Sequence, residues 1–251
     1  MPTVNHLYRY PVKGLSPEPL GEVTLVPGEG FPLDRAYALA HGTAPFDPEH
    51  PEPLAKTHFL MLMKNERLAR LDTAYDDESG VLSVRREGKE VVRGNLRDAV
   101  GRKLIEQFYA AWLGDAVRGS PRLVQAPGHS FADVGIKVVS MINLASVRAL
   151  ERVVGRPVDH LRFRANLYFD GADAWSEFEW IDRDVAIGDV RLRPIKRTRR
   201  CAAVNVDPAT AERDMSIPNV LLDTFGHADM GIYARVVEGG LITLGDAFEA
   251  P

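Results

Sequence analysis

The sequence predicts an α+β protein in which β-structure dominates and curls into a barrel-like form. Short runs with a period of two recur along the chain, as in "GEVTLVP", where Val23 and Leu25 alternate with polar neighbours. Turn-rich segments cut these runs short. Only two stretches carry the apolar spacing of a helix.

In chain order, "AYALA" follows the first run as a second short strand, and "GTAPFDPEHPEPLAK", rich in proline and acid, reads as a surface loop. "VLSVRREGKEVVR" is a hairpin turning at Glu87-Gly88-Lys89. A helix is predicted from Asp98 to Leu113, with Val100, Leu104, Phe108 and Trp112 as its apolar stripe. Asn95 or Asp98 caps this helix and Gly114 ends it. A second helix occupies "NLASVRALERVVG", capped by Asn143, striped by Leu144, Val147, Leu150 and Val154, and stopped by Gly155. Strands return in "RFRANLYFDG", "AIGDVRLRPI", "CAAVNV", "GIYARVV" and "LITLGDAF". Turn-rich "RGSPRLVQAPGHS" places a boundary near residue 120, separating a β-rich module (1–120) from a second domain (121–251). No internal repeat is present.

The composition is that of an ordinary globular chain able to bury a core without disulfides. The longest apolar runs, "FLMLM" and "VVSMI", are far too short to cross a bilayer, so a soluble cytoplasmic protein with no membrane partner is expected. A net charge of −4 argues against a nucleic-acid partner bound by bulk charge. The seven histidines show no metal-ligand spacing, and Walker, GxGxxG and GxSxG motifs are lacking.

Charge is nevertheless concentrated in one place. Six of the ten residues from Arg191 to Arg200 are Lys or Arg, and the only cysteine, Cys201, follows directly. Arg191 and Arg193 alternate with Val190 and Leu192 and read as the solvated face of a strand. Cys201 has two readings: a small buried hydrophobe, or a thiolate favoured by Lys196, Arg199 and Arg200, the form that attacks electrophiles or binds soft metals. In "RFRANLYFDG" a period of two puts Phe163, Ala165, Leu167 and Phe169 on one side, and Arg162, Arg164, Asn166 and Tyr168 on the other. An Arg and an Asn side by side suit phosphate and a polar heterocycle, although an ordinary polar strand face has the same pattern. Lys13 in "YPVKG" and Arg35 in "LDRAYAL" mean little individually.

Together, "YRYPVKG", "LDRAYAL", "LRFRANLYFDG", "AIGDVRLRPIKRTRRCAAVNVDP" and "GHADMGIYARVVEGGLITLGD" resemble the MOSC-domain proteins. These are relatives of the C-terminal domain of molybdenum-cofactor sulfurase, with an N-terminal MOSC β-barrel module attached, and the amidoxime-reducing component is similar. The resemblance implies that Cys201 is a ligand of molybdenum in a pterin cofactor (molybdopterin). It implies cofactor contacts at Lys13, Arg35, Arg164, Asn166, Arg199 and Arg200, and an aromatic neighbour in Tyr233. Its expected activity is reduction of small N-hydroxylated or N-oxide substrates. One cysteine cannot hold an iron–sulfur cluster, so electrons are expected from a separate ferredoxin- or flavoprotein-type donor. A non-catalytic cofactor carrier and a persulfide-bearing sulfur carrier are the alternatives. Three positions depart from the reductase pattern: Gly14 where a serine often stands, Arg199 in place of a serine, and Asp133-Val134 in place of a Ser/Thr pair.

Overall fold

The computed structural model describes residues 1–251. Its first half contains β1 (Thr3–Arg9), β2 (Glu18–Leu20), β3 (Glu22–Leu25), β4 (Ala38–Ala40), β5 (Asp72–Asp76), β6 (Val81–Arg86) and β7 (Lys89–Asn95). Helix α1 (Ala99–Leu113) and β8 (Arg122–Val124) lead to β9 (Val139–Asn143), helix α2 (Leu144–Val154) and β10 (Leu167–Asp170). The chain ends through β11 (Val185–Ile187), β12 (Val190–Arg199), helix α3 (Ile217–Phe225), β13 (Asp229–Glu238), β14 (Gly240–Thr243) and β15 (Phe248–Glu249). The expected mainly-β architecture is present, and no helix is long and apolar enough to cross a membrane.

One sheet runs in the order β15-β11-β12-β13-β9-β10-β1-β2. Its ends come together, because Thr3 of β1 bridges Ala247 just before β15. Val4 N–H donates to Asp246 O at 2.9 Å, and Phe248 N–H to Pro2 O at 3.0 Å. This closure satisfies edges that would otherwise expose unpaired backbone. The interior is a cluster of 20 buried residues, among them Val4, Leu7, Met141, Phe169, Ile187, Leu192, Ile232 and Phe248. Strands from both ends of the chain therefore build one barrel. All its pairings are antiparallel except β9 with β10, whose parallel alignment needs the crossover that α2 supplies.

Beside the barrel, β5, β6 and β7 form a meander on which α1 packs. The hairpin turns at Glu87 and Gly88, both at positive φ. Asp98 caps α1, accepting from Gly101 N–H at 2.6 Å. The stripe of α1 differs from expectation: Val100 is 73% and Leu104 46% exposed, while Gly101, Ile105, Tyr109 and Leu113 are buried. Glycine is the reason. A Cβ at position 101 would lie 2.2 Å from Asn95 O, so this face alone can reach the sheet. Phe108 and Trp112 of the expected stripe are half-buried against the edge of the same core, with Trp112 covered by the guanidinium groups of Arg67 and Arg86, 4.7 and 5.0 Å from its ring.

Two expected strands are turns. Residues His160–Phe163 form a 3₁₀ turn capped by Asp159, and the strand of "RFRANLYFDG" begins only at Leu167. Its two-sided pattern fails because Arg162, Phe163, Ala165, Asn166 and Tyr168 are all buried, between the barrel and the α2–α3 layer. "CAAVNV" contains a 3₁₀ turn at Ala202–Asn205, with Cys201 as its extended cap. Helix α3, with Pro218 in its first turn and only nine residues, carries too short a period to be read from sequence. Asn143 caps α2 as expected, its Oδ1 accepting from Ala145 N–H at 3.0 Å, and Gly155 closes that helix in the left-handed region.

The amide of Asn143 also reaches Glu177 Oε2 at 3.2 Å, and Ser146 Oγ donates to the same carboxyl at 2.9 Å. Glu177 is wholly buried, and that burial pushes its pKa from 4.5 to about 7. A raised folded-state value favours folding fully below the unfolded value and loses that contribution as pH climbs through 7. Wild-type stability is expected to fall by on the order of 3 kcal/mol between pH 4.5 and pH 8 from this group. Glu177→Gln should flatten that slope in urea-unfolding midpoints; an unchanged slope refutes the assignment.

Candidate functional site

Where β12 leaves the barrel, irregularities in its pairing with β13 fall between Pro194 and Lys196 and again between Arg197 and Arg199. Proline has no N–H for the ladder, and such bulges bend a strand. Arg200 follows as an anchor. Its backbone N–H donates to Ala228 O at 2.8 Å, and its Nε and Nη1 donate to Met230 O at 2.8 Å and Phe163 O at 2.9 Å. Cys201, partly exposed, is thereby held at the wall of a cavity of about 470 Å³. Beyond it, buried Arg162 binds Asp214 at 2.8 Å and Asp207 at 2.6 Å, fixing the "VDP" loop. Arg191 and Arg193 pair with Glu238 and Asp184 on the surface, as their alternation implies.

All eight sequence-selected residues line this one cavity: Lys13, Arg35, Arg164, Asn166, Arg199, Arg200, Cys201 and Tyr233. Their polar groups are not equally available. Asn166 Oδ1 accepts from Ser140 Oγ at 2.8 Å and Ser140 N–H at 3.1 Å, while its Nδ2 donates to Tyr8 O at 3.2 Å. It ties β1, β9 and the chain before β10 together. Arg199 is exposed, and Lys196 lies 5.7 Å from the Tyr233 ring across the β12–β13 pair.

Arg35 and Arg164 are both non-glycine residues at φ 52°, in the left-handed region. Such strain persists only where surroundings enforce it. Arg35 N–H donates to Tyr10 O at 2.7 Å, Arg35 Nη2 donates to Arg164 O at 2.8 Å, and its Nη1 pairs with Asp34. Both guanidinium groups lie over the buried Tyr10 ring, at 4.5 and 4.3 Å. Asp34 compensates Arg35. Arg164 has no such partner: its Nη2 is buried without a hydrogen-bond acceptor, and burial pulls its pKa down to about 10. Thr198 Oγ1 and Arg162 Nε, on residues that also line the cavity, are two further buried polar atoms lacking a partner. Unpaired buried donors of this kind mark a place for a ligand acceptor.

The sequence reading missed Lys56. It ends the proline-rich segment expected to be surface loop, yet its side chain lines the cavity and its charge is sustained by Asp133 and Cys201 against burial. Lys13, almost buried, donates to Phe131 O at 2.7 Å and Asp133 Oδ1 at 2.5 Å, and Lys56 reaches Asp133 Oδ2 at 3.2 Å. Burial pushes Asp133 up, but the two ammonium groups outweigh it and hold the carboxyl below its ordinary value. The acid therefore acts within an ionic bridge. No sequence spacing links positions 13, 56 and 133.

Residues 1–115 match the family model described as the MOSC N-terminal beta barrel domain, and residues 128–249 that of the MOSC domain. The chain belongs to the MOSC-domain proteins. Among relatives of this MOSC-domain protein, the molybdenum cofactor sulfurase of Caenorhabditis briggsae is 26% identical over 94% of this chain and 34% of its own. Mitochondrial amidoxime-reducing component 1 of Mus musculus is 28% identical over 42% of this chain and 34% of its own. The chain thus spans about a third of the length of these curated relatives. The YuaD protein of Bacillus subtilis is 12% identical with a TM-score of 0.45, over 99% of this chain and 94% of that one.

In this MOSC-domain protein the backbone accounts for Gly14. Its φ is +82°, and a Cβ would meet Leu60 O at 3.0 Å and Met61 Cα at 3.3 Å. Gly14→Ser is expected to destabilise the protein by about 1–2 kcal/mol, measured by chemical denaturation. Unchanged stability would overturn this steric account.

Proposed function

We propose that the Cys201 cavity binds a molybdenum-pterin cofactor and that the protein uses it to reduce N-hydroxylated or N-oxide compounds. The carrying observation is the pairing of a partly exposed thiol with a buried, unpartnered guanidinium nitrogen of Arg164 in one cation-lined cavity. A soft sulfur donor beside a charged fork suits a group that joins a soft metal to an anionic tail. The relatives, a molybdenum cofactor sulfurase and an amidoxime-reducing component, agree with this choice.

No three His, Cys, Asp or Glu side chains converge anywhere in the protein. Cys201 Sγ is the soft donor that the cavity wall offers. Arg164 and Arg35 hold the anionic part, and Thr198 supplies a hydroxyl. Arg200 and Asn166, bound to backbone and Ser140, act as positioning residues for Cys201 and the strands around it. The bound cofactor supplies a two-electron redox centre able to convert N–OH and two protons into N–H and water. Electrons come from outside these residues, from a donor of ferredoxin or flavoprotein type, since one cysteine cannot assemble an iron–sulfur cluster.

A carrier role, for the cofactor or for persulfide sulfur on Cys201, is the second reading. It is favoured by the greater extent of the sulfurase alignment, 94% of this chain against 42% for the reductase. Metal analysis of purified wild type should give about one molybdenum per chain, falling at least tenfold in Cys201→Ser. Arg164→Gln should lower pterin retention severalfold with folding intact. Cyanide-labile sulfur without molybdenum would replace the reductase by the sulfur carrier. Bound molybdenum that an N-hydroxylated compound fails to reoxidise would leave the cofactor carrier.

A further inference from the structure

The wall of the Cys201 cavity holds more cations than the chemistry above uses. It contains two carboxylates, Asp34 and Asp133, and both are engaged, by Arg35 and by the Lys13–Lys56 pair. Lys196 and Arg199 are exposed residues of the same wall, and their side chains make neither an ion pair nor a hydrogen bond within the chain. Asp229 stands opposite Arg199 in the β12–β13 register, yet it does not line the cavity and forms no ion pair with it. Tyr233 pairs with Lys196 in that register, and its half-buried ring lies 5.7 Å from the ammonium. Arg197 differs, because its guanidinium lies over the core ring of Phe178 at 4.4 Å.

We infer that Lys196 and Arg199 select substrates that carry an anionic group, a carboxylate or a phosphate, in addition to the reacting N–OH. This selectivity rests on the proposed function, which assigns buried Arg164 and Arg35 to the cofactor and leaves the exposed pair to a molecule entering from solvent. A cationic substrate finds both wall carboxylates already taken, and a neutral one leaves two cations unanswered. An anion meets both, and a cleft lined by one sign of charge concentrates ligands of the other. The guanidinium fork and the ammonium suit carboxylate or phosphate oxygens, and the Tyr233 hydroxyl is a third donor beside them.

The size of the free patch favours a small molecule. Arg191 and Arg193, earlier on β12, are paired with Glu238 and Asp184, so the unpaired charge does not spread into a broad face. A stable protein interface needs about 800 Å² from each partner, far more than two side chains at a cavity wall present. Apolar surface for the rest of the substrate is also at hand. Arg213 donates to Leu62 O at 3.1 Å, Met63 O at 2.9 Å and Ala202 O at 3.3 Å, which fastens half-buried Leu62 and Met63 beside the residue after Cys201. Both line the cavity, and a methionine there adapts to varied shapes.

Four probes test the assignment on the purified full chain: benzamidoxime and its 4-carboxylate, 4-phosphonate and 4-aminomethyl derivatives. Dissociation constants are measured by isothermal titration calorimetry on oxidised protein, with molybdenum and phosphate content recorded for each sample. The tighter anion is expected to bind at least tenfold better than benzamidoxime, and the 4-aminomethyl cation worst; the tighter of the two anions names the head group. In the double variant Lys196→Gln, Arg199→Gln the anion-to-neutral ratio should fall towards one. About 1 M salt, where the Debye length is about 3 Å, should compress it in wild type. Both positions are exposed, so the variant keeps the core intact. No binding, equal affinity for anion and neutral probe, or a preference that survives the double variant and disappears in Arg164→Gln overturns the assignment. Two phosphates per molybdenum do so as well, because they give the pair to the cofactor. Molybdenum-loaded protein without anion preference retires the selectivity alone. A preference lost in the double variant, in samples that never hold molybdenum, retires the cofactor reading and keeps the anion site.

Discussion

The Arg200 guanidinium joins the barrel to its cavity. It donates to the carbonyl of Met230 on β13 and to that of Phe163 in the turn before β10, so three separated segments meet at one planar cation. Hydrogen bonds from a charged donor contribute about 1.5–3 kcal/mol each when buried partners would otherwise be left unsatisfied. The result is positional. Cys201 follows the one residue in the basic run whose side chain is tied to backbone on both sides.

The cavity collects like charges that repel one another, and the fold offsets that repulsion locally. Asp34 neutralises Arg35, Asp133 is shared by Lys13 and Lys56, and the Tyr10 ring faces two guanidinium groups with its negative π-surface. Arg164 has no carboxylate partner and is buried with one nitrogen unpaired. Desolvated and held in a left-handed turn, it is pre-oriented for an acceptor from outside the chain. Lys196, Arg197, Arg199 and Arg200, also in the wall, have no carboxylate partner, so the cavity keeps an excess of positive charge.

The residues of the site were more legible than the elements that carry them. Arg164 and Asn166 were found on an assumed two-faced strand, whereas the chain there is a turn, and Asn166 serves its neighbours rather than open space. The α1 stripe was displaced by one position because a close backbone approach at Gly101 outranks the hydrophobic period. Lys56 has no local signature, since it merely ends a proline-rich loop, and only folding brings it to Asp133 and into the wall that also holds Cys201.

By itself the sequence determined the mainly-β class, the capped starts of α1 and α2, and the presence of one thiol behind a dense cationic run. These are local facts, set by side-chain alternation, caps and composition. Tertiary structure decided which cations point at a common cavity, which are tied to backbone carbonyls, and which are left unpaired. Bulges, left-handed turns and ring closure between Thr3 and Ala247 settle those matters, and none of them has a period along the chain.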